Sequence, residues 1–191
     1  MTDLRVLFGD DLARHLGDVA RLRVSVFRDY PYLYDGDDAY EGRYLADFAA
    51  SPGAVVVGAF DGERMVGAAT ASPLADHNDE FGEGFRAGGL DVESWFYLAE
   101  SVLLPDHRGR GIGHAFFDRR ERAAREQGFE RTCFCAVVRD GEPPAGYRPL
   151  DAFWRKRGYR PLDGVTSTFR WREVGHEDET EHEMQFWGRE L

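Results

Sequence analysis

Apolar and polar residues alternate over residues 3–8 (Asp-Leu-Arg-Val-Leu-Phe), the period of a first strand. From Asp10 to Phe27 the apolar positions Leu12, Leu16, Val19, Ala20, Val24 and Phe27 recur at helical spacing. The stretch from Pro31 to Gly36 breaks that helix, and Asp38–Ala50 predicts a second one. Two strands follow, Ala54–Phe60 and Met65–Ser72, joined across Asp61-Gly62, a strong hairpin signal. Residues 73–91 are acidic and glycine-rich, which predicts a mobile loop. Trp95–Leu104 is rich in strand formers. Gly111–Gln127 predicts a helix closed by Gly128, with Asp118–Arg122 and Glu121–Arg125 as supporting pairs one turn apart. Arg131–Val138 predicts a buried strand, Leu150–Arg157 a short helix, and Val165–Val174 with Met184–Trp187 a closing hairpin. This order predicts an α/β fold: a mixed sheet of about seven strands with helices on both faces. No linker composition and no repeat interrupts residues 1–191, so one domain is expected.

Composition narrows the partners. Of 191 residues, 42% are hydrophobic and 31% charged, which excludes wholesale disorder and a coiled coil. Asp and Glu number 35 against 24 Lys and Arg, a formal charge of −11. That charge repels nucleic acid and anionic membranes on average and favours cationic small molecules. No run of about 18 apolar residues is present to span a bilayer. Residues 1–11 lack the apolar core of a signal peptide. Cys133 and Cys135 sit two apart in a predicted strand, on one face and too far apart for an easy disulfide. A reducing cytoplasm is the expected location.

The segment from Phe96 to Gly113 carries the chemistry. It reads as a strand, a proline stop at Pro105, a glycine-rich turn and a helix start. Gly109, Gly111 and Gly113 allow positive φ and a close approach of ligand to main chain. Free N–H groups in a helix's first turn make an anion site, and Arg108 and Arg110 add donors. A phosphate or pyrophosphate is the natural occupant. The dinucleotide fingerprint fails, because His114 stands at its third glycine position, and no Gly-Lys-Ser/Thr completes a P-loop. The pattern R-x-x-G-x-G is filled by Arg108, Gly111 and Gly113 after Leu103-Leu104-Pro105.

On those residues the chain resembles the GNAT N-acetyltransferase superfamily, whose acetyl-CoA-binding segment has this pattern in this context. The element order before it and Phe153–Tyr159 after it extend the likeness over most of residues 3–174. The resemblance implies a GNAT-like sheet and acetyl-CoA as co-substrate. Main-chain groups of Val102, Leu103 and Leu104 would pair with the pantetheine arm. The N–H groups of Arg108, Gly109, Arg110, Gly111, Ile112 and Gly113 would bind the pyrophosphate. Glu100 is the candidate base; in an unbroken strand it shares a face with Phe96, Leu98 and Val102, where burial would favour its neutral form. The other reading of Glu100 is a structural carboxylate paired with an arginine. Where family members often carry an acidic tyrosine, this chain has Trp154, so Tyr147, Tyr159 or a water would have to reprotonate the thiolate.

Tyr30, Tyr32, Tyr34 and Asp35 belong to the run Tyr30–Glu41, with four tyrosines and four acids, which links the first two helices and enters the second. Such a run could hold a cationic amine by ion pairing and cation–π contact, with Asp76, Asp79, Glu80 and Glu83 adding to the field. The segment from His176 to Glu183 lacks a metal-ligand spacing and reads as a solvated acidic turn. The expected activity is acetyl transfer from acetyl-CoA to a small cationic primary amine, within a ternary complex. The alternative is a catalytically silent acyl-CoA-binding regulatory module. The closing hairpin, with Phe169, Trp171, Phe186 and Trp187, could be core or the face of a homodimer.

Overall fold

The computed structural model describes residues 2–191, apart from the side chains of residues 78–80. A strand β1 (Asp3–Leu7) leads into helix α1 (Gly9–Phe27) and helix α2 (Asp38–Ala50). The carboxylate of Asp37 caps α2 by accepting from the Tyr40 N–H at 2.7 Å. The hairpin of β2 (Val55–Asp61) and β3 (Arg64–Pro73) turns at Gly62, whose φ is +63°. Nearly every residue of β2 and β3 is buried, because helices cover both faces of the sheet.

Helix α3 (Asn78–Ala87), preceded by a short 3-10 turn at Leu74–His77, occupies the stretch expected to be a loop. Phe81 and Phe85 lie one turn apart and are fully buried against the sheet. Gly84 serves contact: a Cβ there would fall 2.3 Å from the Thr166 carbonyl oxygen. Acids and glycines had masked a two-aromatic stripe.

The β-rich run 95–104 is two strands, β4 (Phe96–Tyr97) and β5 (Ser101–Leu103). The Thr70 carbonyl accepts from the Ala99 N–H while the Thr70 N–H donates to the Glu100 carbonyl, both at 3.1 Å. Two residues therefore oppose one, which is a β-bulge. The register with β3 shifts by one residue across it. Beyond the bulge come α4 (Ile112–Glu126), β6 (Arg131–Val137), α5 (Asp151–Lys156), β7 (Arg160–Arg172) and β8 (Glu179–Glu190). The sheet has eight strands in the order β1-β2-β3-β4-β6-β8-β7, with β5 paired to β3. The eighth strand arises from the bulge.

Asp118 and Glu121 turn to Arg157 at 2.7 and 3.1 Å rather than to their expected partners along α4. Leu12, Val19, Leu45, Val56 and Val102 form the core under α1 and α2. Phe96, Leu98, Phe117, Phe134 and Trp187 form the core under α4 and α5. Phe186 and Trp187 are thus core, and Trp171 lies in the same cluster as Phe186. Cys133 and Cys135 are free thiols buried in one cluster, on one face of β6. His182 is buried and stacks on Trp171 at 3.6 Å, so the acidic segment around it is solvated only in part.

Candidate active site

The glycine turn ends a short 3-10 helix at Pro105–His107 and opens α4. Gly109 has φ +74° and Gly111, the residue capping α4, has φ +80°. No atom lies within 4 Å of where a Cβ would stand on either. Among the described residues, no acceptor meets the N–H groups of Gly109 to His114; the first bond of the helix runs from Ala115 to Gly111. Arg108 and Arg110 brace the turn, donating to the Leu103 carbonyl at 3.0 Å and the Asp106 carbonyl at 2.8 Å. The turn therefore presents a fan of main-chain donors at the positive end of a 15-residue helix. Such an arrangement fits a pyrophosphate.

The bulge lets β5 leave β6. Phe96 and Tyr97 pair in parallel with Thr132 and Cys133, after which β5 follows only β3. Glu100 and Leu104 bond to Thr70 and Val66, so the alternation of an antiparallel pair commits Val102 to β3 as well. Ser101 and Leu103 are left with main-chain groups aimed at the gap. A buried arginine secures the bulge from the α4 side. Arg120, 1% exposed, donates to the carbonyls of Thr70 and Glu100, both at 3.1 Å, and to Ser101 Oγ at 2.7 Å. Burial pulls its guanidinium down to about 10, still charged at neutral pH.

Glu100 turns to the α1–α2 face with Val102, because the bulge has broken the period that would have placed it with Phe96 and Leu98. It is 5% exposed, and its Oε2 receives Arg23 Nη1 at 2.9 Å and the Tyr44 hydroxyl at 3.2 Å. Arg23 also donates to Glu41, which is 0% exposed, at 2.5 Å. Burial opposes the charge of Arg23, but Glu100, Tyr44 and Glu41 outweigh it and hold its pKa above the ordinary value. The surroundings of Glu100 are therefore ionic rather than the apolar ones expected of an unbroken strand. Glu100 Oε1 is buried and meets no donor among the described residues. Two carboxylates share one guanidinium, so the trio carries a net charge of −1.

Beside this trio lies a cavity of about 480 Å³ bounded by α1, α2, the bulge, Cys135 and β7. Tyr32, Tyr34 and Asp35 line it, as do Glu100 and Tyr97. Tyr30 and Tyr147 face each other, ring centroids 4.7 Å apart, and neither is in its wall. Tyr159 is buried on the opposite face, bonded to Thr132 and Glu121, which removes it from the proton donors considered. Trp154 packs against Phe134 and Trp187. Asp76 accepts from Ser51 and Glu83 is exposed; neither lines the cavity, to which α3 contributes Phe81 alone. The side chains of Asp79 and Glu80 lie outside the described residues. Among the described residues, no group of three or more His, Cys, Asp or Glu could hold a metal. No described helix is long and apolar enough to cross a membrane.

Arg23, Glu41 and Tyr44 had no signal as a motif. Each is nonetheless a polar side chain on a buried helical stripe: Arg23 between Val19 and Phe27, Glu41 one turn before Leu45.

The Acetyltransferase (GNAT) family model matches residues 19–159, and the chain belongs to that family. The comparison with curated proteins finds no match. Solved structures agree on the fold. Ribosomal-protein-alanine N-acetyltransferase from Brucella melitensis is 18% identical, with 99% of each chain covered and a TM-score of 0.62. A protein from Salmonella typhimurium described as an acetyltransferase, solved with its cofactor acetyl-CoA, is 14% identical at a TM-score of 0.62, covering 98% of this chain and 94% of that one. An aminoglycoside N-acetyltransferase solved with a bisubstrate analogue is 18% identical at 0.57, over 85% of this chain and 93% of its own.

Proposed function

We propose that this protein transfers an acetyl group from acetyl-CoA, the co-substrate of its family, to a small primary amine held beside Glu100. The carrying observation is the buried, donor-less Oε1 of Glu100 in a trio of net charge −1. A buried acceptor without a donor is costly, and an ammonium N–H satisfies both the hydrogen bond and the charge.

In this reading the N–H groups of Gly109 to Gly113 hold the pyrophosphate, the Arg108 N–H being already bonded to the Pro105 carbonyl at 3.1 Å, and the outward edge of β5 holds the pantetheine arm. Glu100, directly or through one water, takes a proton from the bound ammonium. The freed amine attacks the thioester carbonyl, forming the C–N bond as the C–S bond breaks, and the nitrogen gives up its second surplus proton to water as the amide forms. The Leu103 N–H, aimed at the gap, donates to the charge that develops on the carbonyl oxygen. The sulfur then needs a proton. Tyr32 is in the cavity wall, its hydroxyl meets no partner among the described residues, and burial raises its pKa, so it carries a proton at neutral pH that it can relay to the sulfur. Tyr147, also raised by burial, could reach the sulfur only from outside that wall.

The pairing of Glu100 with Arg23 favours a second reading, in which the carboxylate is structural and the protein binds acyl-CoA without chemistry. Thiol release from acetyl-CoA in the presence of primary amines separates the two. Amine-dependent release supports the transferase; tight acetyl-CoA binding in calorimetry with no release from any amine supports the silent module. If neither acetyl-CoA nor CoA binds, both readings fall.

A further inference from the structure

Nine of the twenty-two residues around the cavity are aromatic. Phe27, Phe81, Phe169 and Trp171 supply rings without a hydroxyl, and most of the polar handles on the others are already used inside the protein. Tyr34 donates to Glu41 at 2.9 Å and Tyr44 to Glu100 at 3.2 Å. The Tyr97 hydroxyl meets Cys135 Sγ at 3.2 Å, and the Trp171 indole N–H donates to the Tyr32 carbonyl at 2.9 Å. What these side chains offer an occupant is ring surface.

The charged residues of the wall are close to balance. Asp35, Asp37, Glu100, Glu177 and Glu179 face Arg23, Arg43, Arg170 and Arg172. Several are spent on one another or on neighbours: Arg172 on Asp35 at 3.0 Å, Arg170 on Glu181 at 2.9 Å, and Asp37 on the α2 cap. A polycation gains little from such a wall, and a polyhydroxylated acceptor finds few free donors in it. One cationic group suits the Glu100 trio, and an apolar ring suits the part of the wall that the aromatic side chains form.

We infer that the acceptor is a primary amine with a single positive charge and an aromatic body. This rests on the amine-acetylating reading above and narrows its substrate class. The ammonium sits at Glu100 while the ring packs between Phe81 and Phe169, whose centroids are 5.5 Å apart, and the wall formed by Trp171 and Tyr32.

The test is acetylation of 2-phenylethylamine, ethylamine, spermidine and kanamycin side by side at saturating acetyl-CoA. The expected result is a kcat/KM for 2-phenylethylamine at least about tenfold above the other three, the scale at which a missing apolar group is discriminated. Phe169→Ala should raise the KM for 2-phenylethylamine about tenfold and that for ethylamine far less. Phe169 is only half-buried, and an unchanged melting temperature excludes a folding defect. Turnover of spermidine or kanamycin at least as efficient as that of 2-phenylethylamine overturns this inference and leaves amine acetylation standing. Equal losses for ethylamine and 2-phenylethylamine in Phe169→Ala do the same. Failure of every amine, with acetyl-CoA still bound, overturns both.

Discussion

At the start of α4 the polar groups are main-chain N–H donors, open to solvent, fixed by two glycines at positive φ and braced by two arginines. Beside Glu100 they are side chains from α1, α2 and the bulge, buried and already bonded to one another. The first region can take a highly charged, hydrated group because nothing has to be desolvated in advance. The second has placed two carboxylates and a guanidinium out of water and depends on their mutual pairing. The turn is tolerant of its surroundings, whereas the trio is all-or-none.

That contrast can be broken by substitution. Glu100→Gln should have the largest effect, lowering kcat by about a hundredfold or more while leaving the calorimetric affinity for acetyl-CoA unchanged. Unchanged turnover would move the base elsewhere. Arg23→Met should cost about 3 kcal/mol of unfolding free energy in urea, since it leaves Glu41 and Glu100 buried without their cation. Adding Glu41→Gln to Arg23→Met should recover part of that loss, because one uncompensated charge is removed.

Gly111→Asp sets a carboxylate among the turn's donors and should weaken acetyl-CoA binding about tenfold or more, with the unfolding midpoint lowered only modestly by a side chain at φ +80°. Arg108→Ala should weaken it less, the arginine being exposed. If both bind normally, the pyrophosphate belongs elsewhere. The smallest effect concerns His182 behind Trp171. Burial holds its imidazole below the ordinary value of 6.5, Arg139 adding to this while the main-chain bond at Trp171 and the Glu173 carboxylate oppose it. The unfolded chain then takes up its proton first as pH falls, so folding stability declines below about pH 6.5. His182→Gln should flatten the decline in melting temperature between about pH 7.5 and 5.5. An equally steep decline in the variant would place the titrating group elsewhere.

The two regions also differed in how far the sequence disclosed them. The turn is contiguous: strand, proline, Arg108, Gly111, Gly113 and helix follow one another, so local rules place every donor. The trio draws on Arg23, Glu41 and Glu100, which only tertiary packing brings together. Its one trace is a charge in an apolar stripe, a pattern that a surface helix edge also produces. Helix α3 was obscured by residues whose role is close packing, Gly84 above all. The bulge left no mark either, because nothing between Leu98 and Ser101 forces an extra residue into the ladder. It alone moved Glu100 from one face of the sheet to the other. The number of helical layers and most element limits followed from periodicity, since burial on β2, β3 and the long helices is nearly complete.

The divergence of β5 from β6 leaves the sheet with an edge in its interior, where neighbouring strands normally satisfy each other. An extended ligand laid along Ser101 and Leu103 supplies the missing strand, so the fold is in this sense one segment short by design of its own chain. Ligand affinity and fold stability become one quantity: at a hundred times the dissociation constant, occupancy adds about 2.7 kcal/mol to the folded state. Heating the protein beside a series of acyl-CoA esters would then rank their fit by melting temperature alone, before any acceptor is known.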